Sequence, residues 1–237
     1  FWDMLRLTRQ SPSGIASKAM AGVELALLDI KAKSLNISVV ELFGGPTREK
    51  VRVYWSHCGT SRARHSELLN TPPINSMSDI TNLGKEVVSK GFTALKTNII
   101  LPGDPASVWM GGFGGGKGTT DQYITKNLLN HVETLIGTFR DAVGDEVDIN
   151  LDLNFNFKTE ACLRIAKVLE KFDLLWLEID MYQPESIKQI KESTTTRICT
   201  GENLFYMREY LPYFQMHSAD MFMIDVPWNG FTQSKKV

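Results

Sequence analysis

Three acidic residues stand at the ends of short apolar, β-rich runs: Asp152 in NLDLN, Glu178 in LWLEI and Glu202 in CTGEN. Each follows the last by one strand–helix unit. Three carboxylates gathered at one low-dielectric mouth repel one another unless a cation neutralises them. Hard oxygen ligands with room left for water and substrate suit Mg²⁺. A fourth acid, Asp225 in MIDVP, follows at the same interval. Acids after strands also cap helices, and Asp180 and Glu185 stand where such caps belong. One acid alone reads as a cap, whereas three in register read as a metal site.

A second stretch invites chemistry, the glycine-rich GGFGGGKGTT at 111–120. A phosphate-binding P-loop places Ser or Thr directly after the lysine, for Mg²⁺. Here Gly118 follows Lys117. The motif also joins its strand directly to its helix. Here a long segment containing LPGDPASVWM separates the strand from the motif, so the phosphate reading is set aside. The stretch reads instead as a mobile lid over a strand-end site, because glycines free the backbone. Trp109 and Phe113 are the side chains expected to touch substrate or a neighbouring subunit.

The elements that must carry these residues alternate. Apolar residues Ile15, Ala19, Val23, Ala26, Leu27 and Ile30 recur at helical spacing. Strand-like runs follow at 51–57 and 92–100, in VDINLDLN, LLWLEI and RICTGEN, and in MFMIDV. Helical segments at 78–90 and 121–143, TEACLRIAKVLEKF, PESIKQIKEST and FYMREYLPYFQMHS lie between them. Strands alternating with helices imply parallel pairing through crossovers. Six strands at this rhythm fit an α/β barrel better than a doubly wound sheet.

Bulk properties narrow the function classes. The 237 residues are 43% hydrophobic and carry a formal net charge of −1, with no basic footprint for nucleic acid or a membrane surface. Cys58, Cys162 and Cys199 are widely spaced, which suits buried thiols in a reducing compartment and so a cytoplasmic protein. No apolar run is long enough to cross a membrane, and none resembles a signal peptide. The chain opens on Phe1 and stops where a helix begins, as expected of a piece of a longer protein.

Taken in order, AGVELALLDIKAKSLNISVVELFGG, GFTALKTN, LDLNFNF, WLEID, TGENLF and IDVPWNGFT resemble the mandelate racemase and muconate lactonizing group of the enolase superfamily. The resemblance implies a (β/α)7β TIM-like barrel, incomplete here. Residues 1–50 would be the remnant of a capping domain with its linking helix, and 51–237 the first six βα units. It implies Mg²⁺ held by Asp152, Glu178 and Glu202, and abstraction of the proton α to a substrate carboxylate. Its partners would be a sugar acid and further copies of the chain.

Departures from the family pattern select among its reactions. The family often carries Lys-x-Lys on the second strand, with the second lysine as base. This chain has KTN, so Lys96 remains as a contact to the substrate carboxylate and Asn98 cannot accept a proton. Racemases need a base on each face of the substrate, whereas dehydratases manage with one. That one is a histidine oriented by an Asp, which matches Asp225; the histidine itself is expected beyond Val237. Lys-x-Asn is similar to the galactonate dehydratase branch, yet Asn154 stands where that branch has histidine, and WLEID lacks the usual second Glu and Pro. Asn98 and Asn154 are expected to face the substrate, and His57 at a strand end could do so. The expectation is therefore a Mg²⁺-dependent sugar-acid dehydratase. A racemase, epimerase or cycloisomerase of the same group, or a non-catalytic barrel fragment, are the alternatives.

Overall fold

The structure, a computed structural model, describes residues 13–111 and 123–237. The chain divides into two compact units. One comprises Val53–Thr200 with Met216–Met221, and the other Phe1–Arg52, Gly201–Gln215 and Phe222–Val237.

The larger unit is built on parallel strands β1 (Ala94–Thr97), β4 (Asp148–Asp152), β5 (Trp176–Glu178) and β6 (Ile198–Thr200). The sheet order is β1-β4-β5-β6-β7, with β7 (Met221–Phe222) at the edge. Each crossover therefore moves one place in the same direction. That is the singly wound order of a barrel, as the alternation of elements predicts. Leu95, Ile149, Leu151, Leu177 and Ile198 are fully buried, as expected of parallel strands covered on both faces.

The intervening helices bury one stripe each. In α3 (Met77–Ser89) the stripe is Ile80, Leu83 and Val87. In α4 (Lys126–Val143) it is Leu128, Val132, Leu135, Ile136, Phe139 and Val143. In α5 (Thr159–Leu169) it is Ala161, Cys162, Ile165, Ala166 and Leu169, and in α6 (Pro184–Glu192) Ile187 and Ile190. These spacings place each stripe against the sheet and the neighbouring helix.

Two local outcomes depart from the sequence expectation. The strand predicted over 51–57 is reduced to a single parallel bridge, Trp55 to Leu95. Val51 and Val53 are 71% and 63% exposed, so the start of the run has no covered face, and His57 turns into the left-handed region at φ 51°. A short helix, α2 (Thr60–His65), follows. The long loop after β1 begins with an unpredicted hairpin, in which β2 (Ile100–Leu101) pairs antiparallel with β3 (Ser107–Val108).

In the smaller unit, α1 (Ile15–Leu35) buries Ser17, Met20, Ala21, Glu24 and Ala32. The apolar residues whose spacing predicts this helix lie elsewhere on it, with Ile15, Val23, Leu27 and Ile30 exposed. Small residues on the buried face let α8 (Val226–Asn229) and α9 (Phe231–Ser234) approach. Glu24 accepts a hydrogen bond from the Thr232 amide at 3.2 Å, and Lys18 Nζ lies 3.3 Å from the Trp228 ring centroid. Gly230, at φ 74°, is required there, because a Cβ would fall 1.9 Å from Glu24 Oε2.

Candidate metal and substrate site

Side chains alternate along β4, so Asp148, Asn150 and Asp152 share one side of the strand while Ile149 and Leu151 take the other. Register then sets their neighbours. Lys96 pairs with Asn150 across β1–β4, and Asp152 pairs with Glu178 across β4–β5. The Lys96 ammonium lies 2.8 Å from Glu178 Oε2 and 3.3 Å from Asp152 Oδ2, with all three residues buried. Lys96, Asp152 and Glu178, singled out from sequence, are thus brought together.

The structure adds Asp180. Carboxylate oxygens of Asp152, Glu178 and Asp180 lie within 4.8 Å of one another, the one such acid group among the described residues. Asp180 is two residues beyond Glu178, just past the end of β5. It does not cap the next helix as expected from sequence: α6 has Gln183 at its N-cap and Glu185 in its first turn. The signal was present in LEID as an acid-apolar-acid alternation.

Electrostatics fit a cation. Glu178 Oε1 is buried with no hydrogen-bond partner. Burial, and next the Asp152 charge, push the Glu178 carboxyl up to about 8, although Lys96 opposes this. Burial alone would lower the Lys96 pKa, but Asp152 and Glu178 outweigh it and raise it well above the ordinary lysine value. The two carboxylates thus favour the charged form of Lys96 in this arrangement. Three carboxylates against one ammonium leave a deficit that one divalent ion would fill. Oxygen donors alone, with no thiolate or imidazole in the group, suit Mg²⁺.

The two asparagines support this cluster. Asn154 sits at φ 51°, which Asn tolerates, and donates to Asp152 Oδ1 at 2.8 Å from both its backbone N and its Nδ2. Asn98 is buried. Its Oδ1 accepts from Thr60 Oγ1 at 2.9 Å, and its Nδ2 donates to the Asp152 carbonyl at 3.1 Å and to Asn154 Oδ1 at 3.3 Å. Both ends of this amide are engaged within the protein. Asn150, missed by the sequence reading, is also fully buried beside Lys96 in the register.

Other expected residues fall as follows. Trp109 donates its backbone N–H to the Ile99 carbonyl, and its carbonyl accepts from Asn156 Nδ2. Phe113 and most of the glycine-rich stretch lie outside the described residues. His57 shares a 3.0 Å hydrogen bond with Ser56 Oγ; partial desolvation, then the Lys96 charge, hold its imidazole below the usual value. Cys58, Cys162 and Cys199 are buried free thiols, with burial pushing Cys58 and Cys162 up to about 12.

Glu202 and Asp225 belong to the smaller unit. Their backbones are tied within it: the buried Tyr210 hydroxyl lies 2.8 Å from both the Gly201 and Met223 carbonyls. Asp225 is the N-cap residue of α8, its carbonyl accepting from the amides of Trp228 and Asn229.

Residues 79–237 match the enolase C-terminal domain-like family, and residues 3–44 the mandelate racemase / muconate lactonizing enzyme N-terminal domain. The chain is 27% identical to the D-xylonate dehydratase of Haloferax volcanii over 96% of its own length and 51% of that protein. It is 28% identical to the D-gluconate dehydratase of Thermoproteus tenax, over 94% and 39%. Its fold superposes with TM-score 0.93 on a Burkholderia xenovorans protein assigned as an L-alanine-DL-glutamate epimerase, at 36% identity, covering 100% of this chain and 60% of that one. The chain thus spans about half the length of the curated relatives it matches, and the region present is part of an α/β barrel. It belongs to the mandelate racemase / muconate lactonizing enzyme group of the enolase superfamily.

Proposed function

We propose that the protein removes the proton α to a carboxylate and expels the β-hydroxyl as water, acting as a sugar-acid dehydratase. The observation that carries this is the buried group of Lys96, Asp152 and Glu178 on three adjacent parallel strands, with Asp180 two residues past the last of them. Support for the substrate class comes from the D-xylonate and D-gluconate dehydratases among its relatives. Magnesium, present in one solved structure of the Burkholderia protein, would be held by Asp152, Glu178 and Asp180, with Glu202 as the ligand the family resemblance adds. Bound there, it would take up negative charge that builds on the substrate carboxylate as the proton leaves.

The chain's own groups favour one-base chemistry. Lys96 Nζ stays protonated and donates to an oxygen of the substrate carboxylate, adding charge stabilisation on that side. Asn98 has no basic atom, so β1 offers no proton acceptor. A single base on the other face, oriented by Asp225, suffices for elimination. Its conjugate acid can return the proton to the departing hydroxyl, so that water leaves and the double bond forms with no net change in protons.

The test is a screen of sugar acids with the full-length protein and Mg²⁺, with the 2-keto-3-deoxy product read by NMR in D₂O. Turnover of a sugar acid with loss of water is expected, together with its abolition in Lys96→Met. Racemisation or cycloisomerisation without water loss would overturn the dehydratase reading, and the absence of any α-proton exchange would leave a binding protein.

A further inference from the structure

Glu202 lies on the connection after β6 and Asp225 on the connection after β7, both in the smaller unit. The two connections run close together: a Cβ on Gly201, at φ 114°, would fall 3.0 Å from the Met223 carbonyl oxygen. Glu202 stands inside a turn closed by the Leu204 amide, which donates to the Gly201 carbonyl at 3.0 Å. The chain then enters α7 (Tyr206–Met216) through Tyr206, whose φ of 59° lies in the left-handed region. A bulky residue is rare there and persists only where its surroundings hold it.

Asn229 supplies that hold. It is buried, and its Oδ1 accepts from the Tyr206 amide at 2.7 Å. Its Nδ2 donates to the Leu204 carbonyl at 3.2 Å and to the Asp225 carbonyl at 3.3 Å. The Asn229 backbone N–H donates to that same Asp225 carbonyl at 2.9 Å. One carboxamide thus spends its acceptor and its donors on the backbone of both connections. A carboxylate lacks the donors and an apolar side chain lacks everything, so no residue of similar size replaces it. Tyr210 ties the same connections nearer the strands, at the Gly201 and Met223 carbonyls. Glu202 is therefore bracketed by two cross-ties, and Asp225 is held at its own carbonyl.

We infer that Asn229 is a positioning residue for Glu202 and Asp225, clamping the two connections so that the acids keep one spacing. It acts through the backbone, above all by holding Tyr206 in its left-handed turn. The inference rests on the proposed function for the roles of Glu202 as a metal ligand and Asp225 as the group that orients the base.

The experiment uses the full-length protein, with Mg²⁺ affinity read by calorimetric titration and kcat and KM read with D-gluconate at saturating Mg²⁺. Asn229→Ala is expected to weaken Mg²⁺ binding about tenfold and to lower kcat by about the same factor, with KM little changed. Tyr206→Gly alone should bind Mg²⁺ as the wild type does, because glycine takes a positive φ freely. Added to Asn229→Ala, it should recover most of the lost Mg²⁺ affinity, a rescue that a packing role for Asn229 would not give. Should Asn229→Ala not fold, Asn229→Ser, which keeps a donor and an acceptor, is read against the same expectations. Wild-type Mg²⁺ affinity in the Asn229 variant, whatever its Tm, would overturn the inference and leave the dehydratase reading standing. A loss that Tyr206→Gly does not relieve would overturn it too. The metal titration holds whichever acid is turned over, and failure of the wild type to bind Mg²⁺ would overturn the proposed function and this inference together.

Discussion

At the scale of single residues, the site is organised by what holds Asp152. One oxygen faces Lys96, and the other accepts two hydrogen bonds from Asn154. Asn154 thereby fixes the carboxylate's orientation without itself being charged. Replacing it by Ala removes one of the two bonds and strains the left-handed backbone at φ 51°. Groups that orient a metal's ligands typically contribute about 10–100-fold to its affinity. Asn154→Ala should accordingly weaken Mg²⁺ binding, measured by titration, within that range, and an unchanged affinity would show that Asp152 needs no such support. Much of this was legible from sequence, since the acids at strand ends are read from their spacing and the lysine of KTN from the family resemblance. Asp180 and Asn150 were not, because each is polar in a context where caps and strand-end loops are also polar. Only their alternation with apolar neighbours distinguishes them. Asn98 was legible as a missing base but not as a tie between α2, β1 and β4, which depends on side-chain contacts across 38 and 54 positions in the chain.

At the scale of elements, helices proved readable where one face meets a sheet, as in α3 to α6. The 51–57 run has strand composition, yet a strand needs a covered face as well as β-branched residues. Helix α1 forms as its spacing predicts, but its buried face holds a glutamate and small residues rather than its most apolar stripe. Close approach also governs α3 and α4. A Cβ on Gly84 would lie 2.6 Å from the Ala142 Cβ and 3.3 Å from Val143 Cγ1. Alanine is the better helix former by about 1 kcal/mol. Overpacking typically costs about 1–3 kcal/mol, so the clash should win. Gly84→Ala is expected to lower stability in urea by up to about 2 kcal/mol net, and a stabilised variant would show that the two helices can move apart freely.

At the scale of the whole molecule, the singly wound order of the sheet was legible because each strand–helix unit repeats with little variation. The electrostatic deficit of the acid group was legible only in part, as its depth of burial emerges from the packed sheet. That deficit makes a prediction for stability. The Glu178 carboxyl is raised from 4.5 to about 8, so the folded, metal-free protein holds a proton that the unfolded chain has lost. The corresponding stability is fully present below 4.5 and is lost as pH rises through about 8. Magnesium competes with that proton, and its binding should therefore strengthen over the same interval. At a concentration of about 100 Kd the linkage stabilises by about 2.7 kcal/mol, which for a chain of this size raises Tm by roughly 5–10 °C. Thermal melts with Mg²⁺ against EDTA should show that rise at pH 8.5 and a clearly smaller one at pH 6. Without metal, Glu178→Gln should flatten the loss of stability between those two pH values, since it keeps a neutral side chain throughout. A Mg²⁺ effect of equal size at both pH values would mean that Glu178 is already ionised without metal, and no effect at either would remove the metal site itself.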